Sequence, residues 1–415
     1  MQQKIQRKIN KINSKFNSFD KRVWYLVAIR VINALGFSII LPFISVYLYS
    51  EQGVPMTIIG TFFLGAAIAR AFSQIVGGGY SDKLGRRKIM IIAGIGRALS
   101  FLLLAITVFY HFPIYFLGLF VILSYGFGAM FMPAADALIS DLVEPKNRVE
   151  AYSYQRIGLN FGWAIGPAIG GYLASISYSL LFLIPSGLFI LVIFIVIYYI
   201  PDSVSETRKS NFNLQSLKRL SRNRQFVFYC FLCFLVFSVL SQPYSTMSVF
   251  AVEHVKISKI LLGYLYSING ITIILFQLPG IKWINRMRLS SALALGAFLA
   301  AVAMLLIGIS TSFLMLAIAI VVLTFGEIFF IPTGTTITSN WAPESERGSY
   351  MGFYGLFQGM GRSFGPFYGG ILLDHFLHVP LILWGAIGSV ALFAALAITH
   401  IKHPAAIESS VPSKF

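Results

Sequence analysis

Twelve predominantly apolar runs follow one another along this chain, each long enough to cross a bilayer as a helix of about 20 residues. They lie near 23–49, 56–79, 89–110, 112–138, 151–174, 178–200, 226–250, 260–280, 289–309, 313–338, 349–373 and 379–400. In hydrocarbon every backbone N–H and C=O needs a partner within the protein, which leaves only helices and closed barrels. Barrel strands are about 10 residues long and alternate in polarity, and these runs do neither. Hydrophobic residues make up 57% of the chain and charged ones 11%, against roughly 25% charged in soluble domains. The expected fold is an all-α polytopic membrane protein with 12 transmembrane helices.

The runs fall into two related halves. Gly162 opens "GWAIGPAIGG" and Gly361 opens "GRSFGPFYGG", 199 residues later, so both read G-x-x-x-G-P-x-x-G-G. At the same offset Pro133 answers Pro332 and Arg148 answers Arg347. Parallel repeats of this kind imply two pseudo-symmetric six-helix bundles around a central cavity. The expected organisation is a basic segment over 1–22, a bundle over 23–200, a polar connection over 201–225, a second bundle over 226–400 and a tail over 401–415. Glycines four apart share a helix face and admit a close neighbour, and the proline bends the same stretch. Gly162, Gly166, Pro167, Gly170 and Gly171, with Gly361, Gly365, Pro366, Gly369 and Gly370, are therefore candidate packing and gating positions.

The net charge of +17 does not indicate nucleic acid, because the 32 Lys and Arg are segregated. Seven stand in the first 22 residues, four between Asp82 and Lys88 and six between Arg208 and Arg224. The odd-numbered connections hold only Lys256 and Lys259. This positive-inside asymmetry puts both termini in the cytoplasm of a multi-pass protein of the cell membrane. The basic start is followed by a full-length run with no small-residue cleavage site, so no removable signal peptide is expected. Residues 2–17 suit an interfacial helix. Cys230 and Cys233 form a C-x-x-C within the seventh run, where apolar packing is the expected role.

"GGGYSDKLGRRKIM", from Gly77, resembles the loop signature of the major facilitator superfamily, with Gly78, Asp82, Gly85, Arg86 and Arg87 on its positions and Tyr80 where Leu is usual. The fifth-span decamer is similar to a signature of that superfamily's proton-coupled exporters, and "GEIFFIP" from Gly326 to a pattern of its multidrug exporters. The resemblance covers essentially the whole chain. It implies the two-bundle fold of that family, with Asp82 reaching the start of the eleventh helix and Arg86 an acid at the end of the fourth, here Asp141. Asp82 and Arg86 are also spaced to pair on one helical turn. The arginine usual in the middle of the fourth span is absent, so a proton relay through it is not implied.

A charge inside a span is costly and marks a functional site by default. The span-located charges are Arg30, Arg70, Arg97, Asp136, Arg156, Glu327 and Arg362. Glu327 has no acidic neighbour in its run, which suits a proton-coupling or substrate-binding carboxylate or an ion pair with Arg362. Asp136 is expected to pair with Arg70, Arg97 or Arg156, or to carry a proton. Arg30, Arg97 and Arg156 lie within reach of the cytoplasmic surface and are expected to snorkel, whereas Arg70 lies deeper. If two arginines face the cavity, a carboxylate, phosphate or lipid headgroup becomes a natural ligand. Asn33, Gln242, Tyr244, Asn269, Gln277, Tyr354 and Gln358 are weaker candidates to hydrogen-bond substrate or a neighbouring helix.

No P-loop, H-E-x-x-H or G-x-S-x-G occurs, so no enzyme, cofactor or metal is expected and a proton gradient is the implied energy source. The leading reading is a monomeric secondary transporter, in contact with small-molecule substrates and the lipid bilayer but not nucleic acid, that exports amphipathic compounds against protons. An anionic-metabolite carrier or lipid translocase is the alternative, and a non-transporting receptor or assembly factor the third reading.

Overall fold

The computed structural model describes residues 19–144, 147–201, 220, 222–343 and 346–400, with side-chain placement at all of these except 78, 82, 83 and 149. The helix expected over residues 2–17, most of the 201–225 connection and the 401–415 tail lie outside the described residues. Among the described residues the long segments are helical throughout. They are α1 (Lys21–Val46, continued by a π-turn Tyr47–Glu51), α2 (Met56–Leu84), α3 (Arg86–Phe109), α4 (Ile114–Leu142), α5 (Arg148–Ile176) and α6 (Tyr178–Tyr199). Then follow α7a (Arg224–Leu240), a 3-10 turn Gln242–Tyr244, α7b (Thr246–Glu253), α8 (Lys259–Ile284), α9 (Leu289–Gly308), α10 (Phe313–Trp341), α11 (Arg347–Phe376) and α12 (Pro380–Thr399).

Local chemistry sets several of the boundaries. Asn223, Ser258 and Ser312 accept from the backbone N–H three residues on and so cap α7a, α8 and α10. Gly85, at φ +91°, makes the break between α2 and α3 in a region that side chains disfavour. Pro133 and Pro332 sit inside α4 and α10, and Pro167 and Pro366 inside α5 and α11, as the repeat requires.

Among the described residues, ten helices are long and apolar enough to span a membrane by composition. The two long segments that fall short are α5 and α11, the carriers of the repeated decamer. Their Gly, Tyr, Gln and Arg content dilutes the apolar signal, which a helix flanked by protein tolerates better than one facing lipid. Along α6, by contrast, Leu183, Ile190, Phe194 and Tyr198 are exposed at helical spacing, forming an outward apolar stripe suited to lipid.

Two compact units share the chain. One comprises the described residues within Met1–Ser38, Ile68–Trp163 and Ser179–Lys209, the other those within Ile39–Ala67, Ala164–Tyr178 and Ser210–Phe415. The first is centred on Val23, Leu26 and Ile29 of α1, Ile89 and Met90 of α3, Phe131 and Leu138 of α4 and Val192 and Val196 of α6. In the second, Trp384 is fully buried and meets Phe250 edge-on at 5.4 Å. Cys230 and Cys233 are free and fully buried there.

Candidate functional site

Glycines of the repeated decamer admit close neighbours from other helices. On α5, a Cβ at Gly162 would meet Ala34 and Leu35, and one at Gly170 the Ile39 carbonyl oxygen, both on α1. On α11, the same atom at Gly361 would meet Phe234, and at Gly365 Ser238 and Ser241, at the end of α7a. Gly369 faces Gln242, in the turn that breaks α7. In each copy these glycines thus pack against the first helical segment of their own half.

The second glycine of each terminal pair turns to the opposite half of the repeat. A Cβ on Gly171 would stand 2.5 Å from the Lys259 carbonyl oxygen of α8, and one on Gly370 would stand 2.5 Å from the Met56 carbonyl oxygen of α2. The contact is reciprocal. Gly263 of α8 closes on the Pro167 carbonyl oxygen, and a Cβ on Gly60 of α2 would lie 2.9 Å from that of Pro366. Gly270 extends the α5–α8 contact to Ala164, whose Cα would be 2.8 Å from an added Cβ. Each terminal G-G is therefore a divided contact, with one glycine for the bundle partner and the next for a helix of the other repeat.

Polar bonds join the same end. Asp374, near the end of α11, accepts from the backbone N–H groups of Met56 and Thr57, each at 2.8 Å, and from the Thr57 hydroxyl at 2.7 Å. Lys259 Nζ lies 2.8 Å from Glu51 and 4.4 Å from the Tyr178 ring centroid. Gly60, Gly263, Asp374, Glu51 and Lys259 are absent from the sequence-derived candidates. Gly60 and Gly263 stand at the same place in "IIG" and "LLG", a signal in reach of the repeat comparison.

In the second unit Glu327 is the lone acid of α10. Its Oε2 accepts from Asn269 Nδ2 of α8 at 3.1 Å, and the same amide nitrogen lies 2.8 Å from Thr324 Oγ1. Arg362 and Tyr244 are near enough to act on the carboxylate electrostatically. Among the described residues, however, Glu327 and Arg362 form no ion pair, and the Arg362 guanidinium sits over Phe237, 5.3 Å from the ring centroid. Tyr244 stacks on Tyr266 at 5.4 Å. Gln242 is fully buried and donates to the carbonyl oxygens of Ser238 and Gly365, at 3.2 and 2.9 Å, which makes it a helix contact. Tyr354 is buried beside Gly334 and Tyr229, and Gln358 is half-buried on α11.

The first unit holds the arginines. Arg30 Nη1 lies 3.8 Å from Asp136, a partner not expected from the sequence. Arg97 is 7% exposed, so snorkelling does not describe it. Its Nη1 donates to Asn33 Oδ1 at 3.1 Å, and the guanidinium lies 4.4 Å from the Phe189 centroid and 5.4 Å from that of Phe37. Room for it comes from Gly128, where a Cβ would be 2.9 Å from Arg97 Cζ. Among the described residues no carboxylate pairs with Arg97, and its electrostatic neighbours are Tyr125 and Arg70. Arg70 and Arg156 are exposed.

At the 82–88 loop Arg86, itself buried, bonds both Asp141 and the Ala137 carbonyl oxygen of α4. Arg87 donates to the Ile197 carbonyl oxygen. The burial of Gly78 and the side chain of Asp82 lie outside what is described.

The family model of the Major Facilitator Superfamily matches residues 26–271 and 243–413. The chain is 29% identical over 353 residues to the uncharacterized MFS-type transporter YttB of Bacillus subtilis (strain 168), which covers 83% of this chain and 86% of that protein. It is 28% identical over 378 residues to Multidrug resistance protein MdtH of Proteus mirabilis (strain HI4320), covering 89% and 93%. Among solved structures, the nucleoside transporter NupG aligns with a TM-score of 0.79 at 14% identity, over 92% of this chain and 99% of that one. The peptide transporter POT in complex with sulfate aligns at 0.72 and 15%, over 92% and 94%. At such identities the structures speak to the fold.

Proposed function

Because the chain belongs to the major facilitator superfamily, a family of multi-pass membrane transporters, we propose that it exports amphipathic small molecules in exchange for protons by alternating access. The observation that carries this is Glu327, the only acid of α10, hydrogen-bonded to Asn269 and under the field of Arg362 without pairing to it. A carboxylate held by neutral donors and a distant cation can bind and release a proton without breaking an ion pair. Similarity to the MdtH multidrug resistance proteins, at 28% and 26% identity, supports the export of drug-like compounds. The Lys and Arg asymmetry supports a cell-membrane protein with both termini cytoplasmic.

Purified protein in proteoliposomes with an imposed pH gradient tests the reading. Glu327→Gln removes the titratable group and keeps an oxygen that can accept from the Asn269 amide. Loss of gradient-driven flux with retained substrate binding is expected, and undiminished flux excludes Glu327 as the coupling group.

A second reading rests on Arg97, a buried cation whose polar partner is Asn33. An anionic cargo would supply the missing counter-charge. Organic-anion flux that collapses in Arg97→Leu favours it.

A further inference from the structure

The first turn of α2 has no side-chain cap of its own, since Gly53, Val54 and Pro55 precede Met56. Its free N–H groups at Met56 and Thr57 are instead taken by the two carboxylate oxygens of Asp374, 318 and 317 residues away. The Thr57 hydroxyl adds a third bond at 2.7 Å. The corresponding helix of the other repeat, α8, is capped from within by Ser258. A carboxylate on a helix N-terminus meets both unsatisfied donors and the positive end of the helix dipole. We propose that Asp374 is a gate-positioning residue: a cap supplied in trans to α2 that holds shut the end of the transporter opposite its termini.

Two features of the same end bear on this assignment. Gly370, one turn earlier on α11, packs against the Met56 carbonyl oxygen, so the glycine sets the distance at which the carboxylate reaches. Lys259 and Glu51 make the parallel contact between α8 and the end of α1, but as an ion pair with one partner 47% exposed. Water replaces an exposed ion pair at little cost. Asp374 is exposed too, but its carboxylate bonds two backbone N–H groups at a helix N-terminus, one of them on the buried Met56, rather than another flexible side chain, so separating α11 from α2 uncaps α2. Asp374 carries this role through the position of α2 and α11, without contact to substrate.

The inference rests on the alternating-access reading and is tested without any transport substrate. Spin labels at the exposed positions Gln52 and His378 report the α2–α11 separation by pulsed dipolar spectroscopy, the native Cys230 and Cys233 being fully buried. Asp374→Ala is expected to raise the ratio of long to short distances about fivefold, the effect of losing one helix cap. Thr57→Val, which leaves the carboxylate and both backbone bonds, is expected to raise it less. Asp374→Asn, which keeps one acceptor oxygen, decides the matter if the alanine variant does not fold. An unchanged distribution in Asp374→Ala, or in Asp374→Asn where only that variant folds, overturns the proposal. A shifted distribution in a protein that moves no compound against protons would keep the gate and reject the export reading. Proton-driven flux with an unmoved distribution would do the reverse.

Discussion

Asn269 on α8 donates to Glu327 on α10 across 3.1 Å, and the two residues lie 58 positions apart in the chain. The same amide nitrogen is 2.8 Å from Thr324, one turn before Glu327. Asn269 therefore orients the carboxylate. A hydrogen bond to a charged group contributes about 1.5–3 kcal/mol. Asn269→Ala is accordingly predicted to slow gradient-driven flux by about tenfold or more while leaving the folded yield intact. Initial rates in proteoliposomes measure it, and a rate equal to wild type would mean that Glu327 is held by other groups.

Two glycines of α11 make opposite predictions for the same substitution. A Cβ at Gly370 would lie 2.5 Å from the Met56 carbonyl oxygen, whereas a Cβ at Gly355 would meet nothing within 4 Å. Backbone cannot move aside as a side chain can. Gly370→Ala should destabilise by about 1–3 kcal/mol, and Gly355→Ala should stay within about 0.5 kcal/mol of wild type. Melting of the purified protein in detergent separates the two. Equal melting of both variants would show that the α2–α11 contact is slack.

Much of this fold was legible because a missing side chain leaves a pattern. Glycines four apart, repeated 199 residues later, announce close helix contacts whatever their partners are. The partners were not legible. Gly170 and Gly171 are neighbours in sequence, yet one meets Ile39 of α1 and the other Lys259 of α8, because adjacent helix positions point about 100° apart. Glu327 stood out as a lone acid in an apolar run, but Asn269 became its partner only when α8 was placed beside α10. Arg97 was misread for a related reason. Its distance along the helix from the cytoplasmic end allows snorkelling, and only the tertiary neighbours Gly128, Phe189 and Asn33 show that it stays inside. Asp374 was illegible in principle, since a carboxylate at the end of one helix says nothing about capping another 317 residues upstream.

Arg86 and Asp141 give a prediction that separates stability from transport. The Arg86 side chain is 7% exposed and that of Asp141 38%, so solvent screens the carboxylate and the pair alone contributes under about 1 kcal/mol. Arg86 keeps the Ala137 carbonyl oxygen as an acceptor when the acid is neutralised. Asp141→Asn is thus predicted to leave melting nearly unchanged. If the pair acts as a conformational latch, flux falls in Asp141→Asn, and the double variant with Arg86→Gln is no slower than the slower single. Fully additive losses in flux would show that the two residues act separately.

Arg97 and Gly128 are coupled by sterics rather than by charge. An alanine methyl at 128 would stand 2.9 Å from the guanidinium carbon and 3.1 Å from Nη1, the nitrogen that bonds Asn33. Gly128→Ala should therefore displace the guanidinium and destabilise the protein by about 1–3 kcal/mol. Arg97→Leu should also destabilise, because the buried Asn33 oxygen loses its donor, at a cost of about 1–3 kcal/mol. In the Arg97→Leu background no guanidinium is present for the new methyl to strike. The two effects should then fall short of their sum by about 0.5–3 kcal/mol, the range for residues in direct contact. A double-mutant cycle on melting in detergent measures this coupling, and strict additivity would place the guanidinium away from Gly128.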